Sequence, residues 1–210
     1  MSQPLVDYLV ARTGLPPRRG SAYDYVLAGD GLFVAAANPW LDLRVPVASC
    51  EVRGLRPVYA GCTLVHGRMP RRVWEGIVAC LRLAYAASHE ALIGVRHDGA
   101  GYRLVLPTQR VGAVSVHYMP QEDLVLEVHS HCDGPARFSL TDTGDEQRLR
   151  LYGVVGRLGS SRPQVALRAG AYGYFLPVPW SSIFDADPSG VDDVLDRQAN
   201  LPWRAREAGA

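Results

Sequence analysis

The chain has 210 residues, 48% of them hydrophobic and 20% charged, with a formal net charge of +1. That length suits one domain plus an extension and the apolar share is ample for a core, while a charge so near zero gives no electrostatic case for nucleic acid or an anionic membrane. No window approaches the roughly 18 apolar residues of a spanning helix, and the start MSQPLVDYLVARTG lacks the basic and apolar regions of a secretory signal.

Residues 1–57 are rich in Gly, Pro and short apolar runs. The segments 23–27, 31–35 and 43–47 read as short strands separated by turns, making a strand-rich N-terminal extension. Residues 58–184 read as the core domain. A strand at 59–65 leads to a helix over 70–88, with Pro70 at its first position and Val73, Ile77, Leu81 and Ala84 at helical spacing. Glu75 falls on the solvated face of that helix. Strands at 91–97 and 102–106 flank the turn His97-Asp98-Gly99-Ala100-Gly101, and a strand at 111–118 reaches a second turn at 120–123. The apolar run 124–128 is a buried strand that continues through His129 to His131. A helical turn follows at 139–148, with Glu146 on its surface, and then strands at 150–155, 164–168 and 172–178. The segment 185–210 is a polar tail with a short helix at 189–199. Its aspartates (185, 187, 192, 193 and 196) form a solvated face, and Trp203 pins the tail back. Helices with mostly antiparallel strands predict an α/β (α+β) layer fold.

The chemistry concentrates in HSHCDGPARFSLTD, residues 129–142. It has the form H-x-H, seven residues, then S-x-x-D. On a strand, positions i and i+2 face the same way, so His129 and His131 project together. Two neutral imidazoles and the Asp142 carboxylate are three ligands for one zinc ion, with a fourth tetrahedral position left for water. Asp133-Gly134-Pro135 turns the chain back, and Ser139 serves as an N-cap that fixes Asp142 in the first helical turn. Histidines 66, 89, 97 and 117 have no such company and read as surface or core residues. Cys50, Cys62, Cys80 and Cys132 show no C-x-x-C spacing and read as free thiols of a reducing cytoplasm.

The full string resembles the motif of the JAMM (JAB/MPN) zinc metalloproteases, a distant Glu followed by H-S/T-H-x7-S-x-x-D. The resemblance implies an MPN/JAB (cytidine-deaminase-like) fold, a mixed sheet flanked by helices. It also implies zinc ligation by His129, His131 and Asp142, and stabilisation of the oxyanion at the scissile carbonyl by Ser139. The family's Glu opens a strand after a helix and deprotonates the zinc water. Glu90, in His89-Glu90-Ala91-Leu92-Ile93-Gly94-Val95, holds that place. Glu51 precedes the expected core. Glu127 shares a strand face with the two histidines, as a partner that orients an imidazole or as a plain strand residue. Asp133 and Asp145 are near, but the spacing from Ser139 selects Asp142. The family usually has Pro after the second His. Cys132 stands there instead, either as a competing thiolate ligand or as a small residue filling the same space.

The segments FSLTDTGDEQRLRLYGVVGRL and LRAGAYGYF are similar to a bacterial branch of that family, the PRTRC system A proteins. Their gene clusters also encode an E1-like protein and a small ubiquitin-like candidate. This resemblance implies a cytoplasmic (iso)peptidase whose partner is a ubiquitin-like protein or its conjugates, with an E1-like protein as a further partner. No long insertion separates helix and metal strand, which argues against a dedicated polyubiquitin-chain enzyme. Two other classes compete: a non-catalytic MPN scaffold, and a zinc hydrolase of small amides with the same site.

Overall fold

The N-terminal third follows from alternation: in YDYVLA every second side chain is buried, the period of a strand with one face on a core. A computed structural model describes residues 3–111, 116–118 and 121–195. In chain order the elements are β1 (Val6–Val10), β2 (Tyr23–Ala28), β3 (Gly31–Ala37), β4 (Leu41–Ser49), β5 (Gly61–Leu64), β6 (Met69–Pro70), α1 (Arg71–Ala86), β7 (Leu92–His97) and β8 (Tyr102–Val105). There follow β9 (Gln109–Val111), β10 (Val116–Tyr118), β11 (Leu126–Ser130), α2 (Leu140–Asp145), β12 (Arg150–Gly156), β13 (Gln164–Ala171), β14 (Tyr174–Pro177), α3 (Trp180–Ile183), β15 (Phe184–Asp185), a 3-10 turn (Pro188–Gly190) and β16 (Asp192–Asp193). The protein is mixed α+β and mostly sheet. No helix among the described residues is long and apolar enough to cross a membrane.

The chain divides into two compact units. One comprises Met1–Arg68, Ser139–Tyr152 and Arg168–Leu176. Its sheet runs β1-β2-β3-β4-β5, with β1 parallel to β2 and the other pairs antiparallel. Leu9, Val26, Phe33, Ala35 and Val58 pack as its apolar core. The β2–β3 hairpin needs glycine at Gly31, where φ is 153° and a Cβ would stand 2.2 Å from the Ala48 carbonyl oxygen. Asp24 is fully buried, and its carboxylate accepts the Gly20 N–H at 2.6 Å and faces Arg18 at 3.6 Å. Two expectations change here. The 59–65 strand, expected at the start of the core domain, is β5 and hydrogen-bonds to β4. Glu146, expected on a helix surface, is buried and paired with Arg168 at 2.7 Å, whose guanidinium lies 3.9 Å from the Phe175 ring centre. The sequence pattern did not reveal β1, because only one of its five residues is fully buried and alternation is absent.

The other unit comprises Met69–Phe138, Gly153–Leu167 and Pro177–Ala210. The second large sheet has the order β14-β13-β12-β11-β7-β8, with β16 beside β13. Helix α1 packs on it through Val73, Trp74, Ile77, Val78 and Leu81, each buried side chain contributing about 1.5–3 kcal/mol. Trp74, Trp180 and Phe184 stack with ring centres 5.3–5.6 Å apart and close one end of this core. Pro70 is the cap residue rather than the first helical one, with φ −59°. The expected single strand at 111–118 is instead part of a hairpin, β9 against β10, with 112–115 outside the described residues. Within the expected tail helix at 189–199, residues 189–193 are instead the end of a 3-10 turn and β16, which pairs in parallel with Gln164 and Val165; Val194 and Leu195 are helical, and 196–199 lie outside the described residues. Asp193 is correspondingly no solvated carboxylate: it is buried and accepts the Trp180 N–H at 2.7 Å, capping α3. Asp196 and Trp203 lie outside the described residues.

Candidate metal centre

Strand β11 is buried from Leu126 to Val128 and emerges at His129, which is partly exposed. It lies antiparallel to β7, with His129 opposite Leu92 and Glu127 opposite Gly94. The ladder continues beyond the strand: Ser130 N–H donates to the Ala91 carbonyl at 3.0 Å, and the Ala91 N–H to Ser130 Oγ at 3.0 Å. Glu90 follows directly on this pairing, half-buried beside Ala91. Alternation along β11 puts Glu127 and His129 on one face.

The two imidazoles converge at their tips. The Nε2 atoms of His129 and His131 are 3.2 Å apart and the ring planes are inclined at 51°. Two ligands at about 2.05 Å from a tetrahedral zinc stand roughly 3.3 Å apart, so this spacing fits a shared metal. Facing lone pairs at that distance repel unless a proton or a cation lies between them. His131 Nδ1 lies 3.3 Å from the Pro135 carbonyl oxygen. A proton on Nδ1 satisfies that carbonyl and leaves the Nε2 lone pair for a metal, the arrangement ligating histidines favour.

Ser139 and Asp142 form a capping box. Ser139 Oγ accepts the Asp142 N–H at 3.1 Å, and an Asp142 carboxylate oxygen accepts the Ser139 N–H at 2.6 Å. The expected N-cap is therefore present, on a helix of six residues. A hydroxyl that accepts one bond still has its own proton to donate. Among the described His, Cys, Asp and Glu side chains, His129, His131 and Asp142 are the group that could hold a metal ion. Nitrogen, nitrogen and carboxylate oxygen are a donor set that suits zinc.

The turn after His131 is held on several sides. Gly134 N–H closes it onto the His131 carbonyl at 2.7 Å. From the β12 side, His131 N–H donates to Val155 O, Arg157 N–H to Gly134 O and Leu158 N–H to Cys132 O, at 2.8–3.0 Å. Gln164 Oε1 accepts the Ala136 N–H at 2.8 Å. Gly156 passes so close that a Cβ there would stand 2.2 Å from Gly134 O. Helix α1 contributes Tyr85, whose hydroxyl reaches both Asp133 oxygens at 2.8 and 2.9 Å; the bond to Asp133 raises the phenol's pKa. Asp133 is thus engaged by Tyr85, and Asp145 is exposed and outside the group.

Cys132 is not in the ligand group. Its φ of 48° is a backbone conformation proline cannot adopt. Its thiol donates to the His89 carbonyl at 3.4 Å, and burial, then the charges of Glu90 and Asp133, raise its pKa. Glu127 is buried on the histidine face. Glu75 is exposed and paired with Arg71 at 2.7 Å, a solvated helix face as expected. His97 packs against Tyr102, its ring centre 5.0 Å away. The supports that sequence reasoning missed, Tyr85, Gly156 and Gln164, had no local signal: each meets the 131–136 turn across more than twenty residues of chain.

The chain matches no protein-family model, and no curated protein matches it.

Proposed function

We propose that this protein is a JAMM-type zinc metallopeptidase with an MPN/JAB domain, cleaving an amide bond at the C-terminus of a ubiquitin-like partner. The observation that carries the reading is the 3.2 Å approach of the His129 and His131 ring nitrogens, with Asp142 as the candidate third ligand. Support comes from the pairing of Ala91, the neighbour of Glu90, with Ser130, the residue between the two histidines. His129, His131 and Asp142 would hold a zinc ion, which would supply an acidified water and an electrophile for the carbonyl. Glu90 would accept a proton from the attacking water and pass it to the leaving amine. The Ser139 hydroxyl would donate a hydrogen bond to the oxyanion. Pro135 O, bonded to His131 Nδ1, holds the ring and its tautomer.

The test is metal content and turnover of three proteins. About one zinc per chain is expected in wild type and Glu90→Gln, and none in His129→Ala. Glu90→Gln should lose about 10²–10⁴-fold in cleavage of a C-terminally extended ubiquitin-like protein, the usual worth of a general base. No zinc in wild type after zinc is supplied at neutral pH refutes the reading and leaves a scaffold. Cleavage of small amides but not of the extended protein would reassign the substrate.

A further inference from the structure

The metal-bearing turn is gripped by α1 as well as by β12, through a pair of residues that zinc chemistry does not itself require. Arg82 and Tyr85 are three apart on α1 and therefore share a face. Arg82 donates to Leu158 O at 3.3 Å and to Ser160 O at 2.8 Å, fixing the loop after β12. Tyr85 donates to Asp133, in the middle of the turn that runs from His131 to Pro135. Cys132 sits at φ 48°, strained for a residue with a Cβ, and Asp133 is exposed, so Tyr85 adds a side-chain hold at Asp133 to the backbone bonds on either side of it. The same turn presents Pro135 O to His131 Nδ1, so its placement sets the plane and tautomer of that imidazole.

We propose that Tyr85 is a positioning residue for this centre: its hydroxyl, bonded to Asp133, locks the 131–135 turn and thereby aims His131. The inference rests on the metal reading above, and goes beyond it by adding a residue that acts through a ligand's support. Removing one hydroxyl from a half-exposed side chain leaves α1 packing intact.

The experiment compares wild type, Tyr85→Phe and Asp133→Asn in two ways. Zinc affinity is measured by competition with a chromophoric chelator. The ring-nitrogen resonances of His131 are read by two-bond proton–nitrogen correlation in the zinc-free proteins. Tyr85→Phe should weaken zinc binding about tenfold, the lower end for loss of an outer support, and shift His131 from a single Nδ1–H tautomer toward a mixture. Asp133→Asn, whose amide oxygen still accepts the hydroxyl, should keep the affinity that Tyr85→Phe loses. If Tyr85→Phe does not fold, Asp133→Ala removes the same bond from its exposed side. Wild-type zinc affinity and an unchanged His131 in Tyr85→Phe overturn the proposal alone. A wild type without zinc affinity overturns the metal reading, and the imidazole resonances then still decide whether Tyr85 orients His131.

Discussion

Replacing Gly156 by alanine is a severe test of how the metal turn is held. A Cβ at that position would lie 2.2 Å from Gly134 O, 2.7 Å from Ala136 N and 2.8 Å from the Pro135 carbonyl carbon. All three are backbone atoms, so no side chain can rotate away. Ordinary contact needs about 3.4 Å or more, and the turn must retreat by roughly 1 Å. That displacement breaks or stretches the Arg157 N–H bond to Gly134 O, now 3.0 Å. Overpacking of this kind costs about 1–3 kcal/mol, and the lost hydrogen bond adds about 1. The sum is roughly 2–4 kcal/mol, or some 4–16 °C in Tm at this chain length. Because Pro135 moves with the turn, zinc affinity should fall as well. Thermal unfolding by circular dichroism reads the first effect and chelator competition the second. A Gly156→Ala protein within about 0.5 kcal/mol of wild type, the scatter of neutral surface changes, would refute the close approach of β12 to the turn.

Glu146→Ala removes the partner of a buried guanidinium, with side-chain exposures of 7% for Glu146 and 10% for Arg168. An uncompensated charge there should cost about 3–5 kcal/mol in urea unfolding, whereas an effect below about 1 kcal/mol would mean the pair is solvated. Burial, with the charge of Asp42 behind it, pushes the Cys62 thiol up to about 12. Its reactive thiolate is therefore scarce at pH 8, and a disulfide reagent should label exposed Cys50 promptly and Cys62 only after denaturant is added. Labelling of native Cys62 as fast as Cys50 would contradict that burial.

The helix at 71–86 is legible because Val73, Ile77 and Leu81 recur at helical spacing, and the strand at 92–97 because Leu92–Val95 is a short buried run just after that helix. H-x-H and S-x-x-D were legible for a related reason: both spacings are local consequences of strand and helix-cap geometry. What escaped the sequence was decided by distant partners. Nothing near 59–65 announces that it pairs with β4, and Glu146 looks solvated until Arg168 arrives from β13. The tail was misjudged for the same reason. Asp193 belongs to an acidic run, yet it is drawn inside by the bare N–H at the start of α3. The start of the expected 189–199 helix fails because Gly190 is a poor helix former just after Pro188, and a 3-10 turn forms there.

Ser139 and Asp142 satisfy each other's backbone, so selection for an intact helix start would preserve them whether or not any ion is ever bound. By contrast, the 3.2 Å approach of the His129 and His131 ring nitrogens serves no helix start. Under the metal reading proposed above, the H-x-H pair is therefore more telling than the S-x-x-D that accompanies it.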